Sequence, residues 1–178
     1  MKKIIFSKSS ICLFISCFIM LFSANSTTSA FPLPPISASN IKTFQAWTVL
    51  SINEGGNQYV NLCAQMGNSL STFRIHLTPD NKIGYTTSLN NPALYYPDAV
   101  TIGQATITVG NNQHFVQVTN TFTGSIVVSY LNLSPDFINQ IKNKSNFIVS
   151  FPIGPPCIVS MAGFNQALKY AKQLLKKM

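Results

Sequence analysis

The feature that most constrains the fold is a series of short segments in which apolar and polar residues alternate. Residues 59–66 place one set of side chains on an apolar face and the other on a polar face, and 73–77 repeat the pattern. The turn sequences at 53–57 and 78–81 punctuate these segments. Short alternating strands, spaced roughly ten residues apart, favour an antiparallel sandwich or barrel over βαβ units. We therefore predict a mainly β protein, an antiparallel β-sandwich.

Two helices are expected to interrupt the strands. Ser134, Pro135 and Asp136 form a helix start, with a hydroxyl cap, a proline in the first turn and a carboxylate at the positive end of the helix dipole. This predicts a short helix near 134–142. At the C-terminus, apolar residues recur with helical period from Phe164 to Leu175, which predicts an amphipathic helix.

The first thirty residues have the order of regions typical of an export signal. Three lysines precede a mostly apolar stretch at 11–22, and small residues close the segment at 28–30. The apolar stretch is shorter than the roughly 20 residues that span a bilayer as a helix. We predict a cleaved signal peptide at 1–30, a Pro/Ser-rich tether at 31–41 and a single β-sandwich domain at 42–178. The expected localisation is periplasmic or envelope-associated, with secretion as an alternative.

Side chains suited to catalysis are few. The sequence has only four acidic residues and two histidines, and no glycine-rich phosphate loop, nucleophile elbow or zinc-ligand spacing. His76 lies on a polar strand face and His114 begins another strand, each without a nearby carboxylate in sequence. We predict no catalytic residues, no cofactor and no metal. A hydrolase with an unfamiliar site would require both histidines and an acid to converge.

Two cysteines remain after the predicted signal peptide, Cys63 and Cys157. In an oxidising compartment such a pair is expected to form a disulfide. The alternative is two separately buried thiols, because a disulfide requires the two Cβ atoms to lie near 4 Å apart.

Basic residues cluster in the last ten positions, at Lys169, Lys172, Lys176 and Lys177. Lysines near the C-terminus of a helix are favoured by the dipole and by solvation. The alternative interpretation is contact with an anionic lipid or polysaccharide surface. Nucleic acid is not expected as a partner of an exported protein.

Several short segments resemble the invasion-associated locus B family of exported bacterial proteins. The similar segments are 44–49, the strand containing Cys63, 102–109, 133–137, 147–151 and 159–168, and together they span about 42–175. The resemblance implies an envelope-associated, non-enzymatic β-sandwich protein linked to the entry of bacteria into host cells. It supplies no catalytic residues.

We therefore predict an interaction protein with a protein partner or an envelope component. The alternative is a periplasmic accessory subunit or a small-ligand-binding module of an envelope or secretion system. A deep pocket with converging polar groups favours a ligand binder or an enzyme, whereas a filled interior with a flat exposed patch favours a protein partner.

Overall fold

The computed structural model describes residues 36–67, 71–90, 102–123 and 126–178. This part of the chain contains ten strands and two helices in the order β1 (Ile36–Phe44), β2 (Trp47–Glu54), β3 (Asn57–Gln65), β4 (Thr72–Leu77), β5 (Ile83–Leu89), β6 (Ile102–Val109), β7 (Asn112–Thr123), β8 (Ile126–Leu131), α1 (Phe137–Ile141), β9 (Asn146–Ser150), β10 (Cys157–Ser160) and α2 (Phe164–Leu175).

The strands form one sheet in the order β1-β2-β3-β4-β5-β8-β7-β6-β9-β10. Every neighbouring pair is antiparallel. Just beyond β3, Met66 forms an isolated antiparallel bridge with Val159 of β10. This bridge joins the eight strands from β3 to β10 into a ring at that point. The predicted antiparallel β architecture with a short helix and a C-terminal helix is confirmed, and its layers are parts of one continuous sheet.

The alternating pattern of the sequence sets the two faces of the sheet. The inward positions of β2, β3 and β4 include Trp47, Leu62 and Phe73, all fully buried. The inward positions are aligned across the three strands, because Ala64 of β3 lies opposite both Trp47 and Phe73. Removing these side chains from water is the main stabilising contribution to the fold.

Helix α2 is held against β1, β2 and β3 by contacts at its start. The indole ring of Trp47 lies 4.8 Å from the ring of Phe164, and its Nε1–H donates to the Ser160 carbonyl at 2.8 Å. Gly163 precedes the helix with φ of 81°. A Cβ at this position would overlap the Phe44 carbonyl oxygen, so the helix start requires glycine. These contacts fix where α2 leaves the sheet.

The N-terminal boundary differs from the prediction. β1 begins at Ile36, inside the segment 31–41 that we expected to be a tether. Residues 37–40 have exposed side chains and no proline, so they can form a polar edge strand, which pairs with β2 with a register shift between Ser39 and Lys42. The predicted signal peptide at 1–30 and the first residues of the predicted tether lie outside the described residues.

Candidate functional site

The four C-terminal lysines do not form one patch. Lys176 and Lys177 directly follow the last residue of α2. With the helical 100° per residue continued to them, Lys169, Lys172 and Lys176 fall within an arc of about 60°, and Lys177 lies well outside it. Lys172 and Lys176 line a groove on one side of the helix, whereas Lys177 lines a cavity on the other side. Lys169 is exposed and lines neither. The cluster seen in the sequence is therefore divided between two surfaces.

The groove beside Lys172 and Lys176, which we call the lysine groove, has a volume of about 550 Å³. It lies between α1, α2 and the β4–β5 turn. Its apolar lining residues are Leu77, Pro79, Ile83, Pro135, Ile138, Leu168 and Leu175.

One wall of the lysine groove is the β4–β5 turn, which side-chain hydrogen bonds hold in place. The Thr78 hydroxyl donates to Asp80, and it also accepts from the Lys82 backbone N–H at 3.1 Å. Lys82 Nζ lies 2.7 Å from the Asp80 carboxylate. The Lys82 side chain, followed by the Thr78 hydroxyl, lowers the pKa of Asp80 to about 2. Asp80 therefore offsets the charge of Lys82 at neutral pH.

The cavity on the opposite side of α2 has a volume of about 390 Å³ and separates the helix from β1 and β2. Its lining is mostly neutral and polar, with serine, asparagine and glutamine side chains. Tyr170 closes one side, where its hydroxyl donates to the Asn40 carbonyl at 3.5 Å. The apolar lining of this cavity is limited to Ile52, Leu174 and Met178.

His76 belongs to a polar cluster on the outer face of β3, β4 and β5. Its Nε2 lies 2.7 Å from the Thr86 hydroxyl, and its ring packs edge-on against Tyr59 at 6.0 Å. Burial, with a smaller contribution from the charge of Arg74, lowers the pKa of His76 to about 4. The Tyr59 hydroxyl donates to Glu54 at 3.0 Å, and burial raises the pKa of Tyr59. At neutral pH this cluster therefore holds an uncharged imidazole.

The two histidines do not meet. His76 lies between the inward residues Ile75 and Leu77 and therefore points outward. His114 lies two residues before the inward residue Val116 and is therefore on the inward side of its strand. β4 and β7 are separated by β5 and β8 in the sheet. The convergence that an unfamiliar hydrolase site would require is not present in this geometry.

The predicted disulfide is absent among the described residues. Cys63 lies three residues before Met66, and Cys157 lies two residues before Val159. Because Met66 and Val159 pair antiparallel, these offsets add to roughly 16 Å along the strands, whereas bonded cysteines have Cα atoms within about 7 Å. The two side chains also belong to opposite faces, since Cys157 joins the core and Cys63 lies opposite Arg74 on the outer face. Burial raises the pKa of the Cys63 thiol.

Alternation in the sequence could have indicated this arrangement. Cys63 shares the polar face with Tyr59 and Asn61, whereas Cys157 shares its parity with Val159 and is buried. The lysine groove could not be found in the same way, because its lining comes from three segments distant in sequence.

Within the described ranges, no three histidine, cysteine or acidic side chains are grouped so that they could hold a metal ion. No helix in that part of the chain is long and apolar enough to cross a membrane.

Comparison with known proteins shows a similarity in fold. No family model matches the sequence, and no curated protein matches it. Among solved structures, the chain matches the crystal structure of invasion associated protein b from Bartonella henselae, with a TM-score of 0.60 and 13% sequence identity. The match covers 78% of this chain and 99% of that chain. At this identity the similarity establishes a shared fold, and the chain is thus similar in fold to an invasion-associated protein.

Proposed function

We propose that the protein is an exported, non-enzymatic interaction protein of the bacterial envelope that contributes to host-cell entry. The observation that carries this proposal is the fold similarity to invasion associated protein b, which extends over 99% of that chain. The order of charged, apolar and small residues at 1–30 supports export. The separation of His76 from His114 supports a role without catalysis.

The outer face of the sheet supports a protein partner. Phe115 of β7 is 79% exposed, and Ile158 of β10 is 51% exposed beside its cross-strand neighbour Ile148. The sequence from 99 to 135 contains no Asp, Glu, Lys or Arg, so β6, β7 and β8 carry none of these charged side chains. Uncharged surface with exposed large apolar side chains is typical of protein interaction sites.

A deletion strain tests the proposed role in entry. Loss of the gene should lower the number of bacteria recovered from inside host cells, without changing growth in medium. Complementation with the full chain should restore entry. Complementation with a chain lacking residues 2–30 should not, because that protein would stay in the cytosol. Normal entry by the deletion strain, or full rescue by the chain without the signal, would overturn the proposal.

Two further variants separate interaction from catalysis. Phe115→Ser with Ile158→Ser should reduce rescue, since it removes exposed apolar contacts while leaving the buried core unchanged. His76→Gln with His114→Gln should rescue entry when the protein accumulates at the wild-type level. Loss of rescue by a folded, abundant double-histidine variant would favour an enzyme instead.

A further inference from the structure

The floor of the lysine groove is recessed. Leu77, Ile138 and Leu168 are only 5%, 8% and 9% exposed, respectively, and they lie below the partly exposed Ile83 and Leu175. A volume of about 550 Å³ falls within the range of small-molecule sites. A groove of this volume with an apolar floor has room for an alkyl chain.

The charge at the rim of the groove is positive and lies mainly on one wall. Lys172 and Lys176 are exposed on α2, and neither has a carboxylate within ion-pair distance among the residues that the structure describes. On the opposite wall, Lys82 is offset by Asp80. Asp136 does not line the groove, and its carboxylate accepts from Asn139, which does, at 2.7 Å. A ligand in this groove would therefore place its negative group beside α2.

A flat membrane surface does not fit the groove. Proteins that bind a bilayer through its interface insert protruding apolar side chains beside their basic residues. The large apolar side chains exposed in the described part of the chain are Ile41, Phe115, Tyr130, Ile153, Ile158 and Met178, and none of them lines the lysine groove. A single chain can reach the recessed floor, whereas a bilayer surface cannot.

We propose that the lysine groove binds one anionic single-chain amphiphile, with its alkyl chain on the Leu77, Ile138 and Leu168 floor and its phosphate or carboxylate beside Lys172 and Lys176. This inference goes beyond the proposed function and does not depend on it. It assigns a ligand class to a surface separate from the exposed face around Phe115.

Calorimetric titration of the purified chain with dodecyl phosphate, below its micelle concentration, tests the proposal. One molecule should bind per chain. Decyl phosphate should bind about fifteenfold more weakly, since each buried methylene contributes about fourfold in affinity. Dodecyl maltoside, which has the same alkyl chain and no charge, should bind more weakly than dodecyl phosphate. Inorganic phosphate alone should bind more weakly still.

Two matched double variants locate the site. Lys172→Gln with Lys176→Gln should weaken dodecyl phosphate binding by about five- to tenfold, and it should reduce the salt dependence. Lys169→Gln with Lys177→Gln removes the same charge from two lysines that do not line the groove, and it should weaken binding much less. Near-ultraviolet circular dichroism checks that both variants keep the native packing.

The proposal would be overturned if chain length had no effect on affinity, or if the two double variants behaved alike. Binding to vesicles containing anionic phospholipid without binding of monomeric dodecyl phosphate would also overturn it in favour of membrane docking. The deletion experiment on host-cell entry has an independent outcome, so failure of one proposal leaves the other standing.

Discussion

Lowering the pH should destabilise the protein through His76. The imidazole is held in a polar but largely desolvated cluster, beside Thr86 and near the positive charge of Arg74. Burial and that charge lower its pKa from the usual 6.5 to about 4. In the unfolded chain the same side chain is solvated, so it binds a proton more readily than in the folded protein.

The sign and size of the effect follow from this difference. Between pH 6.5 and about 4 the unfolded state binds more protons at His76, so the free energy of unfolding falls as the pH falls. At 1.36 kcal/mol per pKa unit, the full difference corresponds to about 3 kcal/mol. Going from about pH 7.5 to about pH 5 should remove about 2 kcal/mol through His76 alone. Below about pH 4 this residue adds no further loss.

Urea unfolding at about pH 7.5 and about pH 5 measures the effect, with His76→Gln compared against wild type. The variant keeps a polar side chain near Thr86 but has no group that titrates in this range. It should therefore lose about 2 kcal/mol less than wild type on acidification. His114→Gln, the same substitution on a separate strand, shows how much of any change comes from replacing a histidine as such. Equal losses in wild type and His76→Gln would refute the assignment of the desolvated imidazole.

Three other substitutions or assays test the packing. Gly163→Ala should lower the free energy of unfolding by at least about 2 kcal/mol, because its Cβ would overlap the Phe44 carbonyl and its φ is positive; a thermal midpoint near wild type would contradict this. Thiol titration of the denatured, unreduced protein should find both Cys63 and Cys157 reactive, whereas neither would react if they were bonded. Trp47→Phe should cost about 2 kcal/mol, since it removes the indole hydrogen bond and leaves space against α2; urea unfolding with an unchanged midpoint would contradict this.

Most strands of the described domain were predictable from local patterns. The hairpin of β2 and β3 turns at Gly55 and Gly56, both with positive φ, as expected from the glycine pair between two alternating segments. β1 was partly missed because an edge strand pairs on one side only, so its sequence needs no apolar alternation. Residues 37–40 are exposed serine, alanine and asparagine, which local patterns do not distinguish from a tether.

The pairing of distant strands could not be derived from alternation. Alternation of apolar and polar residues shows which face of its own strand a side chain occupies, but it does not identify the neighbouring strand or the register. The chain passes from β5 to β6 and β7 and returns through β8, which then pairs with β5. For the predicted disulfide, alternation places Cys63 and Cys157 on opposite faces, whereas their separation along the strands follows only from the register. The expected oxidising compartment and the presence of two cysteines favoured a bond between Cys63 and Cys157. The strand register and the opposite faces of the sheet keep the two thiols apart.

The same distinction explains what became of the C-terminal lysines. Helical periodicity correctly predicted the apolar face of α2, because that face depends only on spacing within the helix. Which lysines border a common surface depends on where α2 lies against the sheet, and the contacts of Trp47 and Gly163 fix that position. These contacts leave Lys172 and Lys176 facing the β4–β5 turn and place Lys177 on the opposite side. Four lysines that form one basic cluster in sequence thus have different chemical surroundings, and only two of them border the lysine groove.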